Sequence, residues 1–291
     1  YNTKTSCNIL QYGMAMKLTL RLLANLPLGW LHFLGTSISW VAFIVSPKYS
    51  KQLKQNLTES NICGNQISLK KTLKSNVNET GKAIFELPFI WFRPKKEILS
   101  HILSISGEAE LKKVLSKKRG IIFITPHLGP FEIIPKYLGG YIPITSMYRP
   151  HKKSYLARSM FDGRTNENES LAPTNLRGVR QLYKALSKGE AIGILPDQVP
   201  KEGEGEWVSF FGRPAYTMTL VHELAQRTQA EVMFTYCVRN SNRLGFDLFF
   251  EPLKRDEREK FNALTLNQKL EEIIRKHPTQ YLWAYNRHKG P

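Results

Sequence analysis

The sequence predicts an α/β fold: a mostly parallel central sheet flanked by helices, with an apolar helix toward the N-terminal end. Three observations predict it. Short apolar runs recur after residue 120, each too brief for an ordinary helix and bounded by Gly, Pro or charged residues. Segments with helical periodicity separate them, and strand-helix alternation of this kind favours a parallel sheet. Ahead of all this, residues 22–47 contain no Lys, Arg, Asp or Glu.

That uncharged stretch is long enough to cross a hydrocarbon layer of ~30 Å at a rise of about 1.5 Å per residue. Asn25, Pro27, His32 and the Gly35-Thr36-Ser37 cluster work against a simple span, because polar groups are costly in hydrocarbon and Pro27 removes a helical hydrogen bond. A membrane anchor over residues 1–47, either spanning or lying in the interface, is the expectation. A signal peptide is the rival, opposed by the length of the apolar stretch and by the lack of a small-x-small cleavage site. Lys17 and Arg21 precede the stretch and Lys48, Lys51 and Lys54 follow it, so flanking charge sets no orientation.

Residues 48–291 read as one folded unit. From Leu53 to about Trp91 the pattern is helical and ends on Trp91-Phe92 beside the basic Arg93-Pro94-Lys95-Lys96. A short helix follows from Glu108 to Lys118, stopped by Gly120. Buried strands are predicted at Ile121–Ile124, Ile142–Met147, Ala191–Leu195, Val232–Val238 and Phe246–Phe250. Helices are predicted at Lys153–Gly163, Leu176–Lys188, Tyr216–Thr228 and Leu264–Lys276, the last ending at His277-Pro278.

With 291 residues, of which 42% are hydrophobic, the chain can bury a sizeable core. A formal net charge of +18 draws polyanions: nucleic acid, anionic lipid headgroups or an acidic carrier protein. Charge does not choose among them. A non-enzymatic basic protein binding nucleic acid or membrane is a possible class, but no zinc-finger spacing, RRM-like aromatic motif or heptad-bearing basic region is present. The basic groups are Lys112-Lys113 with Lys117-Lys118-Arg119, and Arg149, His151, Lys152, Lys153 and Arg158. The three cysteines, Cys7, Cys63 and Cys237, lie far apart without metal-ligand spacing, so neither a disulfide framework nor a metal site is expected.

The chemistry gathers in Gly120-Ile-Ile-Phe-Ile-Thr-Pro-His127-Leu-Gly-Pro-Phe-Glu132. A buried strand delivers His127 to its C-terminal edge, where open α/β sheets place their sites. Gly129-Pro130 bends the chain, and such a turn would bring the Glu132 carboxylate back to the imidazole to fix its tautomer. The H-x4-E spacing alone is common by chance. No GxSxG elbow is present to argue for a hydrolase.

Five further passages stand with it: Met147-Tyr148-Arg149-Pro150, Gly163-Arg164, Ile194-Leu195-Pro196-Asp197-Gln198, Phe210-Phe211-Gly212-Arg213-Pro214-Ala215 and His277-Pro-Thr-Gln-Tyr-Leu-Trp283. In order and spacing they resemble the late lipid A biosynthesis acyltransferases, the lauroyl and myristoyl transferase type, within the wider lysophospholipid acyltransferase superfamily. Glycerophospholipid acyltransferases usually carry Asn before the His and Asp at the fifth position, where this chain has Pro126 and Glu132. Asn286-Arg287-His288-Lys289 departs from the commonest ending of the lipid A family.

The resemblance implies an acyltransferase domain at 48–291, an acyl-acyl carrier protein donor and a hydroxyl on an acyl chain of a lipid A precursor as acceptor. It implies a bacterial inner-membrane enzyme with its catalytic domain on the cytoplasmic side, needing no cofactor and no nucleic acid. His127 would be the general base, oriented by Glu132. Arg164, Asp197, Arg149, Gln198 and Arg213 are expected to bind substrate, guanidinium groups being suited to the precursor's phosphates. A phospholipid or glycolipid acceptor is the alternative.

Overall fold

The computed structural model describes residues 15–150 and 154–291. Cys7, His151, Lys152 and Lys153 lie outside them, as does the start of the expected anchor. The chain begins with helix α1 (15–24), then α2 (Leu28–Val45), α3 (Pro47–Glu59), α4 (Gln66–Phe92) and α5 (Lys95–Ser100). The α/β part runs β1 (Ile102–Ser106), α6 (Glu108–Ser116), β2 (Ile121–Ile124), α7 (Ile133–Leu138), β3 (Ile144–Tyr148), α8 (Ser154–Arg164), β4 (Glu169–Pro173), α9 (Leu176–Ser187) and β5 (Ala191–Ile194). It continues through β6 (Gly205–Phe210), β7 (Arg213–Met218), α10 (Leu220–Thr228), β8 (Glu231–Arg239), β9 (Phe246–Pro252), α11 (Arg255–Arg258) and α12 (Ala263–Lys276).

A 7-stranded sheet has the order β1-β9-β8-β2-β5-β3-β4. All its neighbours pair in parallel except β8 and β9. Strand β2 is central, and all of its residues are buried because both faces are covered. Side chains alternate between those faces, so Ile122 and Ile124 enter one apolar cluster and Ile121 and Phe123 enter the other.

Several strands differ from expectation. β1 and β4 are short and mix Ser or Glu among few apolar residues, so they lack a buried-strand signature. Residues Tyr216–Met218, expected to open a helix, end β7 of a separate antiparallel hairpin with β6. Phe211 and Gly212 form its two-residue turn with φ of 50° and 74°, the left-handed pair that a type I′ turn requires.

Helix α2 docks along α4. A Cβ added to Gly35 would lie 2.4 Å from the Gly81 carbonyl oxygen, and one on Gly81 would lie 2.1 Å from that of Gly35, so the two backbones touch. Ser39 donates to the Val77 carbonyl at 2.7 Å and Trp40 to Asn78 at 2.7 Å. His32 meets Glu86 at 2.5 Å, and Glu86 in turn receives two bonds of 2.8 Å from Arg239 at the end of β8. The opposite face of α2 exposes Trp30, Phe33, Val41, Ile44 and Val45. Among the described residues α2 is the helix long and apolar enough to cross a membrane.

Candidate active site

His127 stands beyond the C-terminal end of β2, beside the chain leaving β5. In-register pairing sets Ile124 against Ile194, so residues three further along, His127 and Asp197, arrive abreast. The Asp197 carboxylate accepts from the His127 backbone N–H at 2.8 Å and lies 2.7 Å from imidazole Nδ1. Only 2% of Asp197 is exposed. Burial works to raise its carboxyl, but the His127 ring, the His127 backbone N–H and Arg287 outweigh it and hold the group below its ordinary value. A carboxylate on Nδ1 places the ring proton there and leaves Nε2 as the base. Nε2 is met by the Gln198 amide at 3.1 Å.

Glu132 does not occupy the position expected of it. The turn through Gly129, whose φ is +57°, carries the chain into α7 and points the carboxylate at Arg164 and Trp91. Arg164 Nε donates to Glu132 at 2.9 Å, a second guanidinium nitrogen bonds the other oxygen, and Trp91 Nε1 donates at 3.3 Å. The guanidinium also stacks over the Trp91 ring at 5.5 Å. The residue that orients His127 is therefore Asp197, 70 positions away in sequence.

Arg149, Arg164, Glu132, Gln198 and His127 all line one cleft of about 510 Å³. Arg149 is exposed at its mouth with Lys201 close by on the lining. Arg213 lies elsewhere: it pairs with Glu59 of α3 and is not part of the cleft wall. Among the described residues no cluster of His, Cys, Asp and Glu has the arrangement of a metal site.

Sequence reasoning missed what holds the histidine loop. Residues 279–285 form a strap whose backbone pairs with it: Gly129 N–H donates to the Gln280 carbonyl at 3.0 Å, and Leu282 N–H to that of His127 at 3.1 Å. On the strap's other side, buried Asn76 of α4 donates to the carbonyls of Thr279 and Tyr281, and Asn56 of α3 to those of Trp283 and Tyr285, all within 2.7–2.8 Å. Tyr285 hydroxyl accepts from Val199 N–H at 3.0 Å, fixing the segment that carries Asp197 and Gln198. Burial, reinforced by the Asp197 charge, pushes the Tyr281 hydroxyl well above its ordinary value. The strap's carbonyls at alternate residues are taken by lone asparagines in helices, which no sequence motif marks.

A carboxylate-held imidazole lining a largely apolar cleft is equipment suited to acid–base chemistry in group transfer. The sequence model of the bacterial lipid A biosynthesis acyltransferases matches residues 2–290, and the chain belongs to that family. It is 28% identical over 274 residues to a lipid A biosynthesis palmitoleoyltransferase of Escherichia coli, covering 91% of this chain and 87% of the relative. To a lipid A biosynthesis lauroyltransferase of the same organism it is 25% identical over 276 residues, covering 92% and 88%. A solved 1-acyl-sn-glycerophosphate acyltransferase from Thermotoga maritima aligns over 91% of this chain and 95% of its own at 12% identity, with a TM-score of 0.33, a likeness too distant to bear on this chain.

Proposed function

We propose that this acyltransferase moves a fatty acyl group from an acyl-acyl carrier protein to a hydroxyl on an acyl chain of a lipid A precursor, with His127 as general base. The observation that carries the reading is the Asp197 clamp on Nδ1, which turns the basic Nε2 to the cleft, where the acceptor hydroxyl would replace the Gln198 amide as its partner. The acceptor oxygen attacks the thioester carbonyl as Nε2 removes its proton; the C–S bond then breaks, and the leaving thiolate takes the proton back from the imidazolium. Asp197 stabilises that imidazolium. Glu132 fixes the Arg164 guanidinium against Trp91 on the cleft wall, where its remaining N–H groups can donate to substrate oxygens. Arg149 and Lys201 at the mouth suit the acceptor's phosphates.

The exposed apolar face of α2, followed by Lys48, Lys51 and Lys54, supports attachment to an anionic membrane; the cytoplasmic side of the inner membrane, where a carrier protein would deliver its acyl group, is the side the acyl-carrier reading requires. Purified protein given an acyl-carrier donor and a lipid A precursor should yield a product heavier by one acyl group in mass spectrometry, and His127→Ala should abolish it. Transfer to lysophospholipid with none to the lipid A precursor would replace the acceptor and leave the His127 chemistry standing.

A further inference from the structure

The cleft has a second end below His127. In-register pairing aligns Phe123, Gly193, Ser146 and Leu171 in one row across four strands, and Ile121, Ala191, Ile144 and Glu169 in the row nearer the strands' N-terminal ends. Gly193 and Ser146 are the small members of the first row, so the sheet face is hollow between Phe123 and Leu171; these four line the cavity, as do Ile144 and Glu169 of the second row. Ile134 and Pro135 of α7 form the facing wall. At the bottom the apolar lining stops at an ion pair: Lys136 Nζ lies 2.8 Å from Glu169 Oε2, and Asn166 donates to Oε1 at 2.6 Å. Lys136 and Glu169 are 8% and 2% exposed.

We propose that this trough holds the donor's acyl chain with its methyl end down, and that the Lys136–Glu169 pair is the stop that sets chain length. The inference rests on the acyl-transfer reading above. Hydrocarbon is favoured along the trough because it leaves water, each buried methylene being worth roughly fourfold in affinity. A chain long enough to pass the floor would have to wedge a buried cation and anion apart without replacing either partner. From the level of Thr125 to that of Ile121 the sheet descends about 13 Å at a rise of about 3.3 Å per residue. An extended alkyl chain, with bonds of about 1.5 Å in zigzag, fills that depth with on the order of ten carbons, and the reach up to His127 brings the total to about a dozen.

A Cβ built on Gly193 sits 3.2 Å from Ser146 Oγ and 3.8 Å from Ile144 Cδ1, so any side chain there projects into the trough. The test measures chain-length profiles of wild type, Gly193→Leu, the milder Gly193→Ala, and the double variant Lys136→Met/Glu169→Leu, with thermal unfolding to establish that each folds. One readout is competition among a graded series of saturated acyl-carrier thioesters, with products resolved by mass spectrometry. The other, which needs no chemistry, is displacement of a fluorescent fatty acid by saturated fatty acids of graded length.

Wild type should rise with length and then fall sharply. Gly193→Leu should move the optimum shorter by about two carbons or more, changing the long-to-short ratio by roughly tenfold; Gly193→Ala should move it the same way by less, and the double variant should move it longer. Folded variants that keep the wild-type profile in both readouts would overturn the proposal, as would a shift in preference for the acceptor's chain and not the donor's. If wild type transfers nothing yet its fatty-acid cutoff moves with residue 193, the trough stands and the acyl-transfer reading falls.

Discussion

Asp197→Asn keeps shape and removes charge, so it isolates what the carboxylate does for His127. An amide cannot stabilise the imidazolium and favours the wrong tautomer, so the transfer rate should fall by about a thousandfold or more. The same variant has a stability signature. Because Asp197 is held below its ordinary 3.8, the folded protein binds fewer protons there than the unfolded chain does. Its contribution is present at neutral pH and is lost as pH falls through the folded value. Melting temperature should therefore decline more steeply below about pH 4 in wild type than in Asp197→Asn, as scanning calorimetry would read. Glu132→Gln should behave differently. It weakens a charge-assisted pair worth about 1.5–3 kcal/mol, so activity should drop on the order of tenfold to a hundredfold while the pH-rate profile stays put, since His127 keeps its partner. The sequence made His127 visible and named both carboxylates, yet gave Glu132 the orienting role because it is near in sequence. Strand register, which makes Asp197 near in space, is not written in local spacing.

At the scale of elements, the close approach of α2 and α4 depends on two glycines. Gly81→Leu places a side chain where the Gly35 backbone lies and should destabilise the protein by about 1–3 kcal/mol or more in denaturant unfolding. Asn76→Ala strips partners from two strap carbonyls, costing about 1–3 kcal/mol for each that stays buried, and should lower transfer beyond what its unfolding curve explains, because the strap holds the histidine loop. The central strand β2 was legible from its unbroken Ile-Ile-Phe-Ile run, since burial on both faces demands it, while β5 and β3 showed as short apolar segments diluted by Gly, Thr and Ser. β1 and β4 flank the sheet on its two edges, where Ser and Glu are tolerated, and so they carried little signal.

For the molecule as a whole, the apolar outer face of α2 is the surface that the proposed membrane attachment would use. Trp30→Glu/Val41→Glu alters exposed positions and should weaken flotation with anionic vesicles while leaving the melting temperature within about a degree, surface changes rarely exceeding ±0.5 kcal/mol. Wild-type binding should persist at moderate salt, because burial of apolar side chains is not screened. The strap has a consequence in time. His127 leaves the ribosome more than 150 residues before Gln280 and Leu282, the partners that clasp its loop. The nascent chain can assemble its helices and much of its sheet early, and Asp197 can meet His127, but the loop that carries the histidine lacks its backbone clasp until this late segment is made.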